Sequence, residues 1–248
     1  MDRDISALVH LIRQATSVVA FTGAGVSTLS GIPDFRGPNG LYRKFDADRI
    51  FDIDNFWADP SSFYSQSRDF IYAMDACEPS LVHQVLARLE DAGRLEGVIT
   101  QNIDMLHQRA GSRTVVELHG SPSWHACRDC PGGAAFAAVA PLVRAGGVPR
   151  CARCGGVLKP GITFFGELLP PGALERAGAL AAHADLLLVL GSSLVVQPAA
   201  SLPLLTLRRG GQIAVVNQDA TPLDEAAAWR GDDLARIFAG LEATLPWA

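Results

Sequence analysis

The chain has 248 residues, 48% of them hydrophobic and 19% charged, which excludes a disordered polymer and leaves room for one substantial core. Its formal net charge of −5 offers no long-range attraction to phosphate backbones or anionic bilayers, so neither nucleic acid nor membrane is an expected partner. No stretch approaches the ~18 apolar residues of a membrane span, and Met1-Asp2-Arg3-Asp4 is unlike a secretory leader, so a cytoplasmic protein is expected.

Residues 2–16 are predicted to be helical, because Ile5, Leu8, Val9 and Ile12 recur at helical spacing, and Ser17 to Phe21 then reads as a buried strand. Thr22-Gly23-Ala24-Gly25-Val26-Ser27 follows directly, with glycines that permit a tight turn and bring backbone N–H groups near a pyrophosphate. This piece is weak alone. Thr28 stands where a dinucleotide fingerprint has its third glycine, no acid ends a second strand about twenty residues on, and a plain strand-to-helix turn fits equally well. Gly31-Ile32-Pro33-Asp34-Phe35-Arg36-Gly37 then gathers an acid, an aromatic ring and a guanidinium in one loop. It reads either as a lid, with Arg36 on a phosphate or ribose and Phe35 over a ring, or as an ordinary Pro-Asp turn.

Residues 37–75 carry aromatics such as Tyr42, Phe45, Phe51 and Trp57 without strand-like runs, and are predicted to form the helical part of a small inserted module. Leu81, Val82, Val85, Leu86 and Leu89 line one helix face, and Val98 to Thr100 is a short strand. Gln101, Asn102, Ile103 and Asp104 follow at its carboxyl end, where a parallel sheet binds ligands. Asp104 either caps a helix running to Ala110 or meets a ligand; Asn102 has no capping role and suits a ribose, a water or a nicotinamide group. His107 is expected on the surface of that helix. Thr114 to Leu118 is another strand, and His119 at its end is the side chain best suited to accept a proton near neutral pH, with Gly120 allowing close approach of a ligand.

Residues 121–160 are rich in Gly, Pro, Ala and Cys and are read as the metal-binding part of the small module. Cys127-x-x-Cys130 and Cys151-x-x-Cys154 are separated by twenty residues, a spacing that folds two knuckles onto one tetrahedral ion. Four thiolates close the shell, so this zinc is structural, and the few bulky apolar residues of 131–150 suggest that the module needs it. His125 is not counted as a ligand, and Cys77 is read as a buried apolar filler.

Ala184 to Leu190 and Gln212 to Val216 are nearly continuous apolar runs, each followed by a helical pattern, around 198–209 and 233–244. Gly191, Ser192, Ser193 and Asn217 stand just past them as neutral partners for ribose hydroxyls and adenine. Asp233 lies before the last helix, as a cap first and a ligand contact second. The alternation predicts an α/β fold with a doubly wound, mostly parallel Rossmann-like sheet, residues 1–248 forming one domain with the two insertions.

Taken in order, Gly-Ala-Gly-Val-Ser-Thr, Gly-Ile-Pro-Asp-Phe-Arg-Gly, Thr-Gln-Asn-Ile-Asp-x-Leu-His, Glu-Leu-His-Gly-Ser, the paired C-x-x-C, Phe-Phe-Gly-Glu and Gly-Ser-Ser-Leu resemble the sirtuin family over nearly the whole chain. The resemblance implies NAD-dependent removal of acyl groups, chiefly acetyl, from protein lysines, NAD being consumed. It implies NAD contacts at Ala24, Thr28, Phe35, Arg36, Gln101, Ser192, Ser193 and Asn217, with Gly23, Gly25, Asp34, Ile103, Gly191 and Asp233 beside them. Asn102 and Asp104 would line the nicotinamide pocket, and His119 would deprotonate a ribose hydroxyl. Gly161 to Glu167 resembles the segment on which sirtuins pair a substrate peptide, with Thr163, Phe165, Gly166 and Glu167 as contacts. Thr163 stands where the family usually has valine, and Leu168 where close bacterial relatives commonly have a polar residue. An acidic-acyl deacylase would carry Tyr-x-x-Arg, whereas Tyr64 and Arg68 are four apart, so neutral acyl groups are favoured. Mono-ADP-ribosyl transfer would use the same NAD site, and the oligomeric state is left open, a monomer being compatible.

Overall fold

A computed structural model of the chain describes residues 5–34, 40 and 47–245. In chain order the strands are β1 (Val18–Thr22), β2 (Gly97–Thr100), β3 (Val115–Glu117), β4 (Gly120–Cys127), β5 (Gly133–Ala135), β6 (Leu158–Ile162), β7 (Leu186–Leu190), β8 (Gln212–Val216) and β9 (Trp229–Gly231). Six of them form a sheet in the order β3-β2-β1-β7-β8-β9, and every pairing in it is parallel. The strand order reverses between β1 and β7, which opens a crevice at their carboxyl ends.

The apolar runs are continuous because both faces of this sheet are covered. Val18, Ala20, Leu186, Leu188, Ala214 and Val216 pack with Leu8, Val9 and Ile12 of helix Ile5–Gln14, and with the apolar stripes of helices Leu81–Asp91 and Leu234–Thr244. Their neighbours Val19, Phe21, Leu187, Val189, Ile213 and Val215 point the other way, onto Ala173, Ala177 and Ala181 of helix Ala173–His183. A charged residue at any of these positions would have to leave water without a partner. Among the described residues, no helix is long and apolar enough to cross a membrane.

One strand is unforeseen and three local expectations change. The sixth strand, β9, carries half-buried Arg230 at its centre, ion-paired to Asp224 at 2.7 Å, so it presents no apolar run. The helix expected from Asp104 begins only at Leu106, because Met105 takes a left-handed conformation (φ 62°). The stretch around 198–209 divides into a 3₁₀ turn, Ala199–Ser201, and a helix, Pro203–Arg208. His107 is buried rather than on the surface: its Nε2 lies 2.9 Å from the Thr22 hydroxyl, and its ring packs 4.6 Å from that of His83.

The smaller unit joins the antiparallel sheet β5-β4-β6 to helices Ile53–Ala58, Pro60–Ser67 and Phe136–Arg144. Its core is aromatic: Phe56, Phe63 and Phe164 meet with centroids 5.1–5.5 Å apart, and Tyr72 stacks on Phe136 at 5.7 Å. Phe136, Val139 and Val143 are buried in it, so residues 131–150 supply more apolar packing than their composition suggested. Phe35, Arg36, Tyr42 and Phe45 lie outside the described residues.

His83 and His125 are fully buried, and burial holds both imidazoles down at about 4, well below the ordinary 6.5. Between these values the unfolded chain binds protons that the folded chain refuses, so stability is complete above pH 6.5 and falls with pH down to 4. Chemical denaturation is expected to find about 2 kcal/mol lost per histidine between pH 7 and pH 5; equal stability at the two pH values would contradict this.

Candidate functional site

The carboxyl ends of all six parallel strands meet one crevice of about 1300 Å³. That exceeds the roughly 300–1,000 Å³ usual for a small-molecule pocket and leaves room for a dinucleotide beside a peptide side chain. At its floor the loops after β1 and β7 touch. The Gly25 N–H donates to the Gly191 carbonyl at 2.9 Å, and a Cβ on Gly25 would stand 2.6 Å from Gly191 Cα. The fingerprint-like glycines therefore bring two backbones together at the switch point, as well as leaving the turn open to a ligand.

After β2, the Asn102 amide is tightly held. Its Nδ2 donates to the Gly23 carbonyl and to Ser27 Oγ, both at 3.0 Å, and Ser27 Oγ donates in turn to Asp104 Oδ2 at 2.6 Å. Asp104 Oδ1 accepts the Leu106 N–H at 2.9 Å, so this carboxylate meets the first N–H of the helix, although the N-cap position itself falls to Met105. Burial pushes the Asp104 carboxyl up, against these hydrogen bonds. Asp104 does not line the main crevice; it faces a small recess of about 20 Å³ beside it, with Ala24, Ile32 and Asn102. Beneath this layer Thr22 Oγ1 donates to Thr100 Oγ1, which accepts the Asn102 N–H at 3.0 Å, and His107 closes the chain.

His119 follows β3 and is half-buried against the crevice. Its Nδ1 lies 2.9 Å from the Gln101 carbonyl, which can only accept, so Nδ1 carries the proton and Nε2 keeps its lone pair. Burial lowers the imidazole pKa below the ordinary value, and the Gln101 bond offsets part of this. Gln101 itself reaches across to Ser192 Oγ at 3.0 Å, tying the β2 and β7 loops together. Gly120 serves a different end from the one expected: at φ 65° a Cβ would stand 2.0 Å from the Gly161 carbonyl oxygen, so the glycine lets β4 lie against β6.

The segment after β6 forms the opposite wall. The Thr163 N–H donates to the His119 carbonyl at 2.8 Å, which sets this segment beside the imidazole. Phe165 gives both main-chain groups to residues 51–53, its N–H to the Phe51 carbonyl and its carbonyl to the Ile53 N–H. Phe165 is therefore fixed to the smaller unit, which takes up its own main-chain groups.

Gly23, Ala24, Gly25, Thr28, Asp34, Gln101, Asn102, Ile103 and His119 all line the crevice, as do Thr163, Phe165, Gly166, Glu167, Gly191, Ser192, Ser193, Asn217 and Asp233. Asp233 also caps the last helix, accepting the Arg236 N–H at 3.0 Å. Ser27 and Thr22 were missed because a hydroxyl inside a glycine turn or at a strand end carries no pattern that separates it from a solvated one. Only the three-dimensional meeting with Asn102 and His107 reveals them.

The four cysteine sulfurs lie within 4.8 Å of one another. Cys127 and Cys154 are 3.4 Å apart, and Cys130 and Cys151 3.6 Å. A tetrahedral zinc with bonds of about 2.3 Å sets its sulfurs about 3.8 Å apart, so these residues fit that ion with no position left for a substrate. His125 lies elsewhere, its Nε2 2.7 Å from the Tyr72 hydroxyl.

Residues 23–198 match the sequence profile of the Sir2 family. The chain is 48% identical to an NAD-dependent protein deacetylase of Thermotoga maritima, over 88% of this chain and 89% of the relative. It is 42% identical to an NAD-dependent protein deacylase of Archaeoglobus fulgidus, over 90% and 88%. Among solved structures it is similar to Sir2 with a p53 peptide and NAD+, at TM-score 0.89 and 42% identity over 97% of this chain and 98% of that one. A further Sir2 structure, with a deacetylated p53 peptide and 3'-O-acetyl ADP ribose, gives TM-score 0.92 and 43% identity over the same shares.

Proposed function

Because this chain belongs to the Sir2 family, we propose that it removes acyl groups, chiefly acetyl, from protein lysines and passes them to the ADP-ribose part of NAD as nicotinamide leaves. The observation that carries the reading is His119, a neutral imidazole with Nε2 unprotonated, standing between the nucleotide loops and the segment of residues 163–167. NAD, when bound, supplies an activated nicotinamide–ribose bond at which the acyl oxygen can displace nicotinamide, water later replacing the lysine nitrogen on the acyl carbon. His119 Nε2 then takes the proton of a ribose hydroxyl, and the Gln101 carbonyl stabilises the resulting imidazolium through Nδ1. Asn102 meets the nicotinamide ribose. Asp104 acts one step behind it, holding Ser27 and thereby the amide of Asn102. The loops after β7 and β8, with Ser192, Ser193 and Asn217, carry the adenosine half.

Acyl-lysine peptides are the substrates, and neutral acyl groups are preferred. Tyr64 is buried with its hydroxyl on the Leu158 carbonyl, and Arg68 is ion-paired to Asp69, so neither stands ready for an acidic acyl tail. The same reading includes a cytoplasmic setting, where four reduced thiols can hold zinc.

The reading is tested by nicotinamide release from NAD, which is expected only when an acetyl-lysine peptide is present. Reduced cofactor, or peptide carrying ADP-ribose, would replace the reading with a dehydrogenase or a mono-ADP-ribosyl transferase, and faster turnover of a succinyl than of an acetyl peptide would overturn the acyl preference. In a pH profile of kcat/KM, activity falls as His119 becomes protonated. Since burial lowers that pKa, the acid limb is expected below 6.5; a limb at or above this value would count against a buried neutral base.

A further inference from the structure

The crevice wall after β6 is held by a charged group that has no part in the reaction above. Lys159 is only 11% exposed, and its ammonium is surrounded by acceptors: the Ile162 carbonyl at 2.7 Å, the Pro160 carbonyl at 3.2 Å and Glu167 Oε2 at 2.8 Å. The ring of Phe164 closes the remaining side, 4.1 Å away. Glu167 Oε2 also accepts the Phe164 N–H at 2.8 Å, and the Glu167 N–H donates to the Phe164 carbonyl at 3.0 Å. One ammonium therefore joins the end of β6 to the far end of a tight loop, across the residues expected to contact the peptide. An ion pair this enclosed is a poor source of net stability, because desolvation cancels most of its attraction, but it fixes one geometry and is costly to break from one side.

We propose that Lys159 is a positioning residue for the peptide substrate, acting through Glu167 to hold the main chain of residues 162–167 in the shape that a peptide strand can pair with. The proposal rests on the deacylase reading above. It reassigns Glu167, whose carboxylate serves the loop rather than the peptide. It also accounts for how Phe165 can stay docked on residues 51–53 while Gly166, at φ 90°, turns the chain beside the crevice. With the clamp open, the loop samples other conformations and the peptide must reorder it on binding, which raises KM for the peptide. Among the described residues, no hydrogen bond or ion pair of the clamp reaches the loops after β1, β7 and β8, so NAD affinity and the step taken by His119 are spared.

Steady-state kinetics with an acetyl-lysine peptide at saturating NAD test this, alongside NAD binding and amide hydrogen exchange. Lys159→Met is expected to raise the peptide KM roughly tenfold, with kcat held within about threefold. The Phe164 amide should exchange faster, and NAD binding should be unchanged. Lys159→Arg, which keeps the charge, should recover most of the loss, and Lys159→Met combined with Glu167→Ala should be no worse than either alone. If Lys159→Met does not fold, Glu167→Ala carries the same expectations from a residue 29% exposed. An unchanged peptide KM, additive losses in the double variant, or an equal weakening of peptide and NAD would overturn the proposal. If the wild-type protein releases no nicotinamide with any acyl-lysine peptide, the deacylase reading falls instead, and Phe164 exchange alone then decides whether the clamp exists.

Discussion

His119→Ala is expected to lower kcat/KM for an acetyl-lysine peptide about a thousandfold while NAD still binds, the size of loss that follows from removing a well-placed general base. The two parts of this expectation have separate origins. The loss in rate arises because Nε2 of His119 is a free base in the crevice, on a ring already fixed by the Gln101 carbonyl. The retention of NAD arises because the loops proposed to hold it are assembled by contacts that do not involve the imidazole: Gly25 on Gly191, Gln101 on Ser192, and Asn102 on Gly23 and Ser27. The side chain is half-buried at a crevice wall, so its removal leaves no closed cavity and costs little stability. Calorimetric titration of NAD, run beside the kinetics, separates the two effects. Full activity in the variant would remove His119 from the reaction, and loss of NAD binding would make it a binding residue instead.

Cys151→Ser is expected to release zinc and lower the melting temperature by of order 10 °C, since structural zinc is bound with a large share of a small module's folding free energy. Cys151 is the most enclosed of the four clustered cysteines, and it packs among the aromatic side chains of the smaller unit. Cys127 and Cys130 also pack against that core, so loss of the ion frees two knuckles that cover apolar surface. The effect should reach the peptide more than the nucleotide, because the antiparallel sheet leads through β6 into residues 163–167, whereas the loops proposed to hold NAD grow from the parallel sheet. Metal analysis and a thermal melt check the first part, and peptide KM against NAD affinity the second. Retained stability after zinc removal would make the aromatic core sufficient by itself.

The parallel core was legible in the sequence because burial on both faces forces nearly unbroken apolar runs, as at Leu186–Leu190 and Val18–Phe21. The crevice was legible for a related reason: polar residues just past such runs, as at Asn102, His119 and Asn217, stand at strand ends where solvent or ligand must meet them. What escaped was set by contacts between distant segments. β9 is too short, and too polar at Arg230, to show a period. His107 sits on one turn of helix, where surface and core positions look alike, and only its bond to Thr22 places it inside. Gly120 was visible as a glycine, but whether its missing Cβ admits a ligand or another strand depends on Gly161, which lies forty-one positions further on in the chain. The Lys159 clamp was hidden in the same way, its partners lying on both sides of a loop that the sequence presents as a plain motif.

The destination of the acyl group distinguishes deacylation by way of NAD from every alternative. Mass spectrometry of the products formed from NAD and an acetyl-lysine peptide is expected to find nicotinamide, free-lysine peptide and acetylated ADP-ribose in equal amounts. Free acetate without acetylated ADP-ribose, or NAD returned unchanged or reduced, would contradict it.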